Sequence, residues 1–224
     1  MTMLSSLELI RRVPLFSMLT DAQAVSVADA VVKRRFKRGE VIVEQGKKTN
    51  ALFILLNGRA RVITSDSRGR EVILATLRPG DHIGEMSLID NEPHSTTVRA
   101  EVQTDVLMLG RTEFARCLPE NSSMAYAVMR GLVQRLRQAD RKIESLALMD
   151  VYGRVARALL EFAVEEGDGT LLIRERLSRQ DIAKMVGASR EMVSRVMKDL
   201  EERGFIQTQD DGAIAVKDRL TTLN

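Results

Sequence analysis

Glycine punctuates residues 35–110 so regularly that few folds remain open to them. Gly39, Gly46, Gly58, Gly69, Gly80 and Gly84 fall mostly at about ten-residue intervals, the spacing at which turns separate the short strands of a small antiparallel sandwich or barrel. Between them, Glu40–Glu44, Ala51–Leu56, Ala60–Thr64, Glu71–Leu77, Ser95–Ala100 and Asp105–Leu109 are rich in β-branched residues, which suit a pleated, half-buried surface. A compact β-domain is therefore predicted. From Asn121 the texture changes. No proline follows, Gly131 is the only glycine before Gly153, and the apolar residues move to helical spacing.

At 224 residues the chain can hold one large domain or two modest ones. With 44% hydrophobic and 29% charged residues, neither wholesale disorder nor a fibrous repeat fits, and a soluble globular protein is expected. The single cysteine, Cys117, leaves no internal disulfide and no metal or iron–sulfur site built on several thiolates. No run approaches the roughly twenty apolar residues of a membrane span, and Met1–Phe16 mixes Glu8, Arg11, Arg12 and Pro14 into its apolar residues, unlike a secretion signal. A cytoplasmic location without membrane contact is expected. The net charge of +3 hints at a polyanion partner, but the surplus lies in the first 149 residues, whereas Asp150 onward carries 12 Lys and Arg against 14 Asp and Glu. A DNA-binding C-terminal region would have to act through local placement of charge.

Ala125, Met129, Leu132, Leu136, Ala139, Ile143 and Leu146 alternate in steps of four and three, the period that keeps one seam on a helix and lets two helices coil together. Packing of that stripe on the β-domain is the alternative. A parallel homodimer is the preferred expectation. A second helix is predicted over Val151–Val164, ending at the acidic, glycine-containing loop Glu165-Glu166-Gly167-Asp168-Gly169.

Residues 179–200 read RQDIAKMVGASREMVSRVMKDL. Ile182, Met185 and Val186 suit one short helix, and Met192, Val193, Val196, Met197 and Leu200 another. Gly187 permits the tight turn between them, and small Ala183 allows close approach, as in a helix-turn-helix. Ser189 is placed to cap the second helix, leaving Arg190, Glu191, Ser194, Arg195 and Lys198 on the face away from the apolar stripe. Arginine matches the two acceptors of guanine, glutamate accepts from the cytosine amino group, and lysine neutralises phosphate. A hairpin predicted from Gly204 to Lys217 around Asp211-Gly212 would make the unit a winged helix. A solvated helix face with ion pairs such as Glu191–Arg195 is the bland alternative.

The stretch His82–Ala100, HIGEMSLIDNEPHSTTVRA, is the second candidate site. Gly84 allows close backbone approach, the amides after it can form an anion nest, and Glu85 can accept from a sugar hydroxyl. Two lone histidines, His82 and His94, do not make a metal site. No nucleophile–base constellation stands out, so an enzyme is not expected.

With both motifs and the connecting helix in view, the chain resembles the Crp/Fnr superfamily of bacterial transcription regulators over nearly its whole length. The matching stretches are GEMSLIDNEPHSTTVRA, LALMDVYGRVARALL and LSRQDIAKMVGASREMVSRVMKDL. The resemblance implies an α+β fold in three parts. These are an N-terminal β-roll of the cyclic-nucleotide-binding jelly-roll type over 1–118, a long dimerisation helix over 119–149, and a C-terminal winged helix-turn-helix over 150–224. It implies a homodimer under allosteric control by a cyclic nucleotide, acting on double-stranded DNA at a TGTGA-like palindrome and meeting RNA polymerase. Arg179, Gln180, Ser189, Arg190, Glu191, Ser194, Arg195 and Lys198 are the implied DNA-binding residues. The implied ligand-binding residues are Gly84, Glu85, Met86, Ser87, His94, Ser95, Thr96, Arg99, Asp140 and Arg141. A cyclic-nucleotide module acting on a protein partner without DNA is the alternative.

Two departures bear on the effector. The family's phosphate-pairing arginine falls on His94, and a neutral imidazole is a weaker phosphate partner than a guanidinium. The adenine-contacting Thr-Ser pair falls on Ala139 and Asp140, and a carboxylate near a phosphate repels it. Carboxylates suit guanine, whose N1 and N2 both donate. Cyclic di-GMP is accordingly favoured over cyclic AMP, with no metal cofactor.

Overall fold

The computed structural model describes residues 6–11, 13–16, 19–120, 122–166, 171–209 and 211–217; the expected loop glycines Gly167 and Gly169, and Asn121, lie outside them. The chain forms two compact units, residues 1–136 and 137–224.

The first unit is built on a strand whose two faces are both apolar. In β3 (Ala51–Asn57), Leu52 and Ile54 point to one side and Phe53 and Leu55 to the other, and all four are buried, as the two-residue period of a strand with both faces covered requires. β3 pairs with β8 (Thr104–Gly110), which in turn pairs with β1 (Val31–Phe36), while β6 (His82–Ile83) closes the other edge, giving the order β1-β8-β3-β6. A second antiparallel sheet has the order β2-β7-β4-β5, from β2 (Val41–Val43), β4 (Ala60–Ser65), β5 (Glu71–Leu77) and β7 (Thr97–Ala100). Phe53, Leu55, Ile83 and Val106 meet Ile42, Leu77, Val98 and Ala100 between the sheets. Leu52, Ile54, Leu107 and Leu109 face the helices instead, against Ile10 of α1 (Ser6–Arg11), Val27 of α2 (Asp21–Ala30), Phe114 of α4 (Arg111–Glu120), and Met124 and Val128 of α5 (Ser122–Leu148). A capping box of Thr20 and Gln23 starts α2. The short α3 (Glu85–Asp90) follows β6 directly.

The exposed stripe of α5 keeps Met129, Leu136, Ile143 and Leu146 of the expected seam and loses Leu132. Leu132 packs on the core of the first unit with Met124 and Val128, spaced one turn apart. Because the β-rich unit takes that face, the large apolar side chains left exposed are Tyr126, Met129, Val133, Leu136, Ile143, Leu146 and Leu148.

In the second unit, Asp150 caps α6 (Val151–Phe162) by accepting from the Gly153 amide at 2.8 Å. α6 ends two residues before the expected Val164, which instead starts β9 (Val164–Glu165). With β10 (Leu171–Ile173), β11 (Ile206–Thr208) and β12 (Ile214–Val216), β9 forms a sheet of order β11-β12-β10-β9. Val155 and Leu159 of α6, Ile182 and Val186 of α7 (Arg179–Val186), Val193, Met197 and Leu200 of α8 (Arg190–Glu202), and Ile173, Ile206, Ile214 and Val216 form one core. No helix among the described residues is long and apolar enough to cross a membrane.

Candidate functional site

Gly84 sets the geometry of the first site. It lies at φ +96°, and a Cβ there would come within 2.6 Å of the Ala51 carbonyl oxygen, so both conformation and space demand glycine. The turn delivers Glu85 to the start of α3 with none of its surface exposed. Oε1 of Glu85 accepts from one Nη of Arg135 on α5, whose other Nη donates to the backbone carbonyl of His82. Oε2 has no partner among the described residues, leaving one buried acceptor for a donor such as a sugar hydroxyl. Burial raises the Glu85 pKa and the Arg135 guanidinium opposes that rise.

The rest of the stretch divides by role. The Ser87 hydroxyl donates to the Glu92 carbonyl, and Arg111 donates to the carbonyls of Ser87 and Leu88 at 2.9 and 3.1 Å, so both tie down the end of α3. Met86 projects into solvent, as does Ser95, while Thr96 is half-buried. The His94 ring is turned onto the β2–β3 connection, its Nε2 2.7 Å from the Thr49 hydroxyl. Its backbone is fixed there too, donating to the Lys47 carbonyl and accepting from the Gly46 amide. Burial lowers the His94 pKa, so the ring is neutral near pH 7. Arg99 on β7 reaches Glu71 of β5 at 3.3 Å. Asp140 and Arg141 are exposed on α5, within the second unit. Sequence reasoning missed Arg135, which pairs with a carboxylate fifty positions away. Its one local sign is its place a single turn after the lone glycine of α5. Among the described residues no group of three or more His, Cys, Asp or Glu could hold a metal ion.

The second site is the α7–α8 pair. Ser178 caps α7 by accepting from the Asp181 amide at 3.0 Å, and Ser189 caps α8 by accepting from the Met192 amide at 3.2 Å. Between them Gly187 takes φ +65°, and the Ala188 amide bonds back to the Ala183 carbonyl, a left-handed helix stop. These local devices turn Val193, Met197 and Leu200 inward and leave Arg190, Glu191, Ser194, Arg195 and Lys198 exposed. The Arg190 and Arg195 guanidinium groups make no hydrogen bond or ion pair closer than 4 Å among the described residues. The Ser194 hydroxyl bonds the Arg190 carbonyl, and Lys198 lies 3.6 Å from Glu202. The Glu191 carboxyl is held below its ordinary value by its own backbone amide and then by the Ser189 hydroxyl. At the start of α7, Arg179 is half-buried and Gln180 exposed. The β11–β12 wing turns at Gly212, whose amide donates to the Gln209 carbonyl.

A β-rich unit with a buried, half-satisfied carboxylate, followed in one chain by a capped helix-turn-helix and wing, defines a ligand-responsive DNA-binding regulator. The model of the cyclic nucleotide-binding domain matches residues 33–121, and that of the Crp-like helix-turn-helix domain matches residues 153–220. The chain is 34% identical over 186 residues to the cAMP-activated global transcriptional regulator Vfr of Pseudomonas aeruginosa, covering 79% of this chain and 86% of that one. It is 30% identical to the cAMP-activated global transcriptional regulator CRP of Salmonella typhimurium, over 77% of this chain and 83% of that one. The fold resembles that of the c-di-GMP responsive global regulator CLP of Xanthomonas campestris, with a TM-score of 0.76 at 24% identity over 88% of this chain and 98% of that one. The chain belongs to the Crp/Fnr family of transcription regulators.

Proposed function

We propose that the chain is a homodimeric, sequence-specific transcription regulator of the bacterial cytoplasm that reads a TGTGA-like palindrome and meets RNA polymerase when bound. The observation that carries this reading is α8, whose inner face is spent on the core while Arg190, Glu191 and Arg195 stand exposed beyond a capped turn. In this reading residues 1–118 sense the effector, 119–149 dimerise through the exposed stripe of α5, and 150–224 bind DNA, with Arg179, Gln180, Ser189, Ser194 and Lys198 anchoring the duplex. A gel shift on a TGTGA-type palindrome, with and without nucleotide, tests it. A retarded complex that nucleotide strengthens or weakens is expected, and no binding to any palindrome under either condition defeats it.

For the effector we favour cyclic di-GMP over cyclic AMP. His94 is neutral and occupied by Thr49, so it offers no charge to a phosphate, and Glu85 and Asp140 supply carboxylates that suit guanine donors. Gly84, Glu85, Met86, Ser87, Ser95, Thr96, Arg99 and Arg141 complete the proposed site, and Arg135 joins them through Glu85. Calorimetric titration with cyclic AMP, cyclic GMP and cyclic di-GMP decides. Binding of cyclic AMP alone overturns the choice of effector and leaves the regulator standing.

A further inference from the structure

Gly131 stands inside α5, a 27-residue helix, where glycine costs stability because it has more backbone freedom to lose. The structure supplies a reason for it. A Cβ added at position 131 would lie 2.8 Å from Cε1 and 3.1 Å from Nε2 of His82. The ring has little room to give way, since His82 is only 9% exposed. Opposite Ile54 in the β3–β6 register, His82 points to the helix side of the sheet, away from the inner face that carries Phe53 and Ile83. Its Nε2 has no hydrogen-bond partner among the described residues, so shape is what seats it against α5.

Gly131 and Arg135 are one turn apart on the same face of α5. The helix therefore grips residue 82 twice, by the glycine notch at the ring and by the Arg135 guanidinium at the carbonyl, and the same guanidinium reaches on to Glu85. We infer that His82 and Gly131 are positioning residues for the effector site: the notch sets the depth at which α5 seats on β6, and only at that depth does Arg135 reach Glu85. This rests on the reading that Glu85 lines the effector site. Neither residue touches effector. They act through Arg135, and occupancy of Glu85 is thereby coupled to the seating of α5. A methyl group at position 131 lifts the helix by a fraction of an ångström, and hydrogen bonds weaken steeply when stretched or tilted.

The test is a double-mutant cycle on the full chain with G131A, H82A and the pair. Amide hydrogen exchange without ligand is measured over residues 82–90 and 128–136, with α7 and α8 as internal reference, and cyclic di-GMP and cyclic AMP are titrated calorimetrically. G131A is expected to raise exchange in the two segments about tenfold and leave α7 and α8 unchanged, and to weaken nucleotide binding about tenfold. Adding H82A, which vacates the space the methyl group needs, should return both readouts to within about threefold of H82A alone. A general loss of stability would raise exchange everywhere and would not be rescued. Wild-type exchange in G131A, or no rescue in the pair, overturns the inference. If G131A alone does not fold, a folded pair supports it and an unfolded pair overturns it. Should wild type bind neither nucleotide, the choice of effector fails, and the exchange cycle still decides the positioning role.

Discussion

Arg195 and Lys198 lie three residues apart on α8, yet their surroundings differ. The Arg195 guanidinium makes no ion pair closer than 4 Å among the described residues and presents its whole donor fork, whereas the Lys198 ammonium is a point charge partly answered by Glu202 at 3.6 Å. Arg195→Ala should cost about 1–3 kcal/mol on the specific site and relax base preference, while Lys198→Ala should weaken specific and random DNA alike. Gel shifts on matched and scrambled duplexes check this, and equal losses for both variants on both duplexes contradict the division. His82 permits a second expectation. Burial, aided by the Arg135 charge, pushes its pKa down to about 4 from an ordinary value of 6.5. The unfolded chain therefore binds the proton first. The stabilisation is complete above pH 6.5, declines as pH falls toward 4, and amounts to up to about 3 kcal/mol. Glu85, raised by burial, works with opposite sign: it favours the native state in acid, and that benefit fades as pH rises through its folded pKa. Urea unfolding of wild type and His82→Phe between pH 7 and pH 4 isolates the histidine part. The variant should lose less stability on acidification, and parallel curves would mean that the ring is not held neutral.

At the scale of elements, α5 has more apolar residues than one face can hold. Met124, Val128 and Leu132 serve the first unit, and Tyr126, Met129, Val133, Leu136, Ile143, Leu146 and Leu148 remain exposed. If that stripe is the dimer seam, Leu136→Glu removes one buried leucine from each of two subunits. At about 1.5–3 kcal/mol per leucine the dissociation constant rises by roughly 10²–10⁴. Sedimentation velocity should show monomers for Leu136→Glu and dimers for Gln134→Glu on a different face; a dimeric Leu136→Glu places the seam elsewhere. The helical period of α5 and the exposure of Met129, Leu136, Ile143 and Leu146 were readable from spacing, but the packing of Leu132 on the core was not, because two apolar faces compete and only the β-rich unit decides between them. β3 was readable since ALFILLN is apolar on both faces. β1 was hidden because four of its six residues are exposed at a sheet edge and three of those are Lys33, Arg34 and Arg35. The helix-turn-helix was legible almost residue by residue, since Ser178, Gly187 and Ser189 act within a few positions of themselves. His94 and Arg135 take their roles from partners 45 and 50 positions away, which no local pattern encodes.

For the molecule as a whole, net charge is a poor guide to where DNA binds. From Asp150 onward there are 12 Lys and Arg against 14 Asp and Glu, so the affinity of one winged helix must come from a few placed cations and is correspondingly modest. If two copies join through α5, as proposed, the second half-site is met at the effective concentration set by the first. Such linkage multiplies affinity by roughly 10²–10⁴ and vanishes when geometry forbids simultaneous contact. Half-sites about 10 base pairs apart present the same face of the duplex, and about 5 inserted base pairs turn one of them to the far side. A palindrome lengthened in this way should bind about 10²-fold or more weakly than the parent in a gel shift, and approach the affinity of a single half-site. Unchanged binding to the lengthened site would mean that each winged helix engages DNA independently, and the homodimeric reading could not stand.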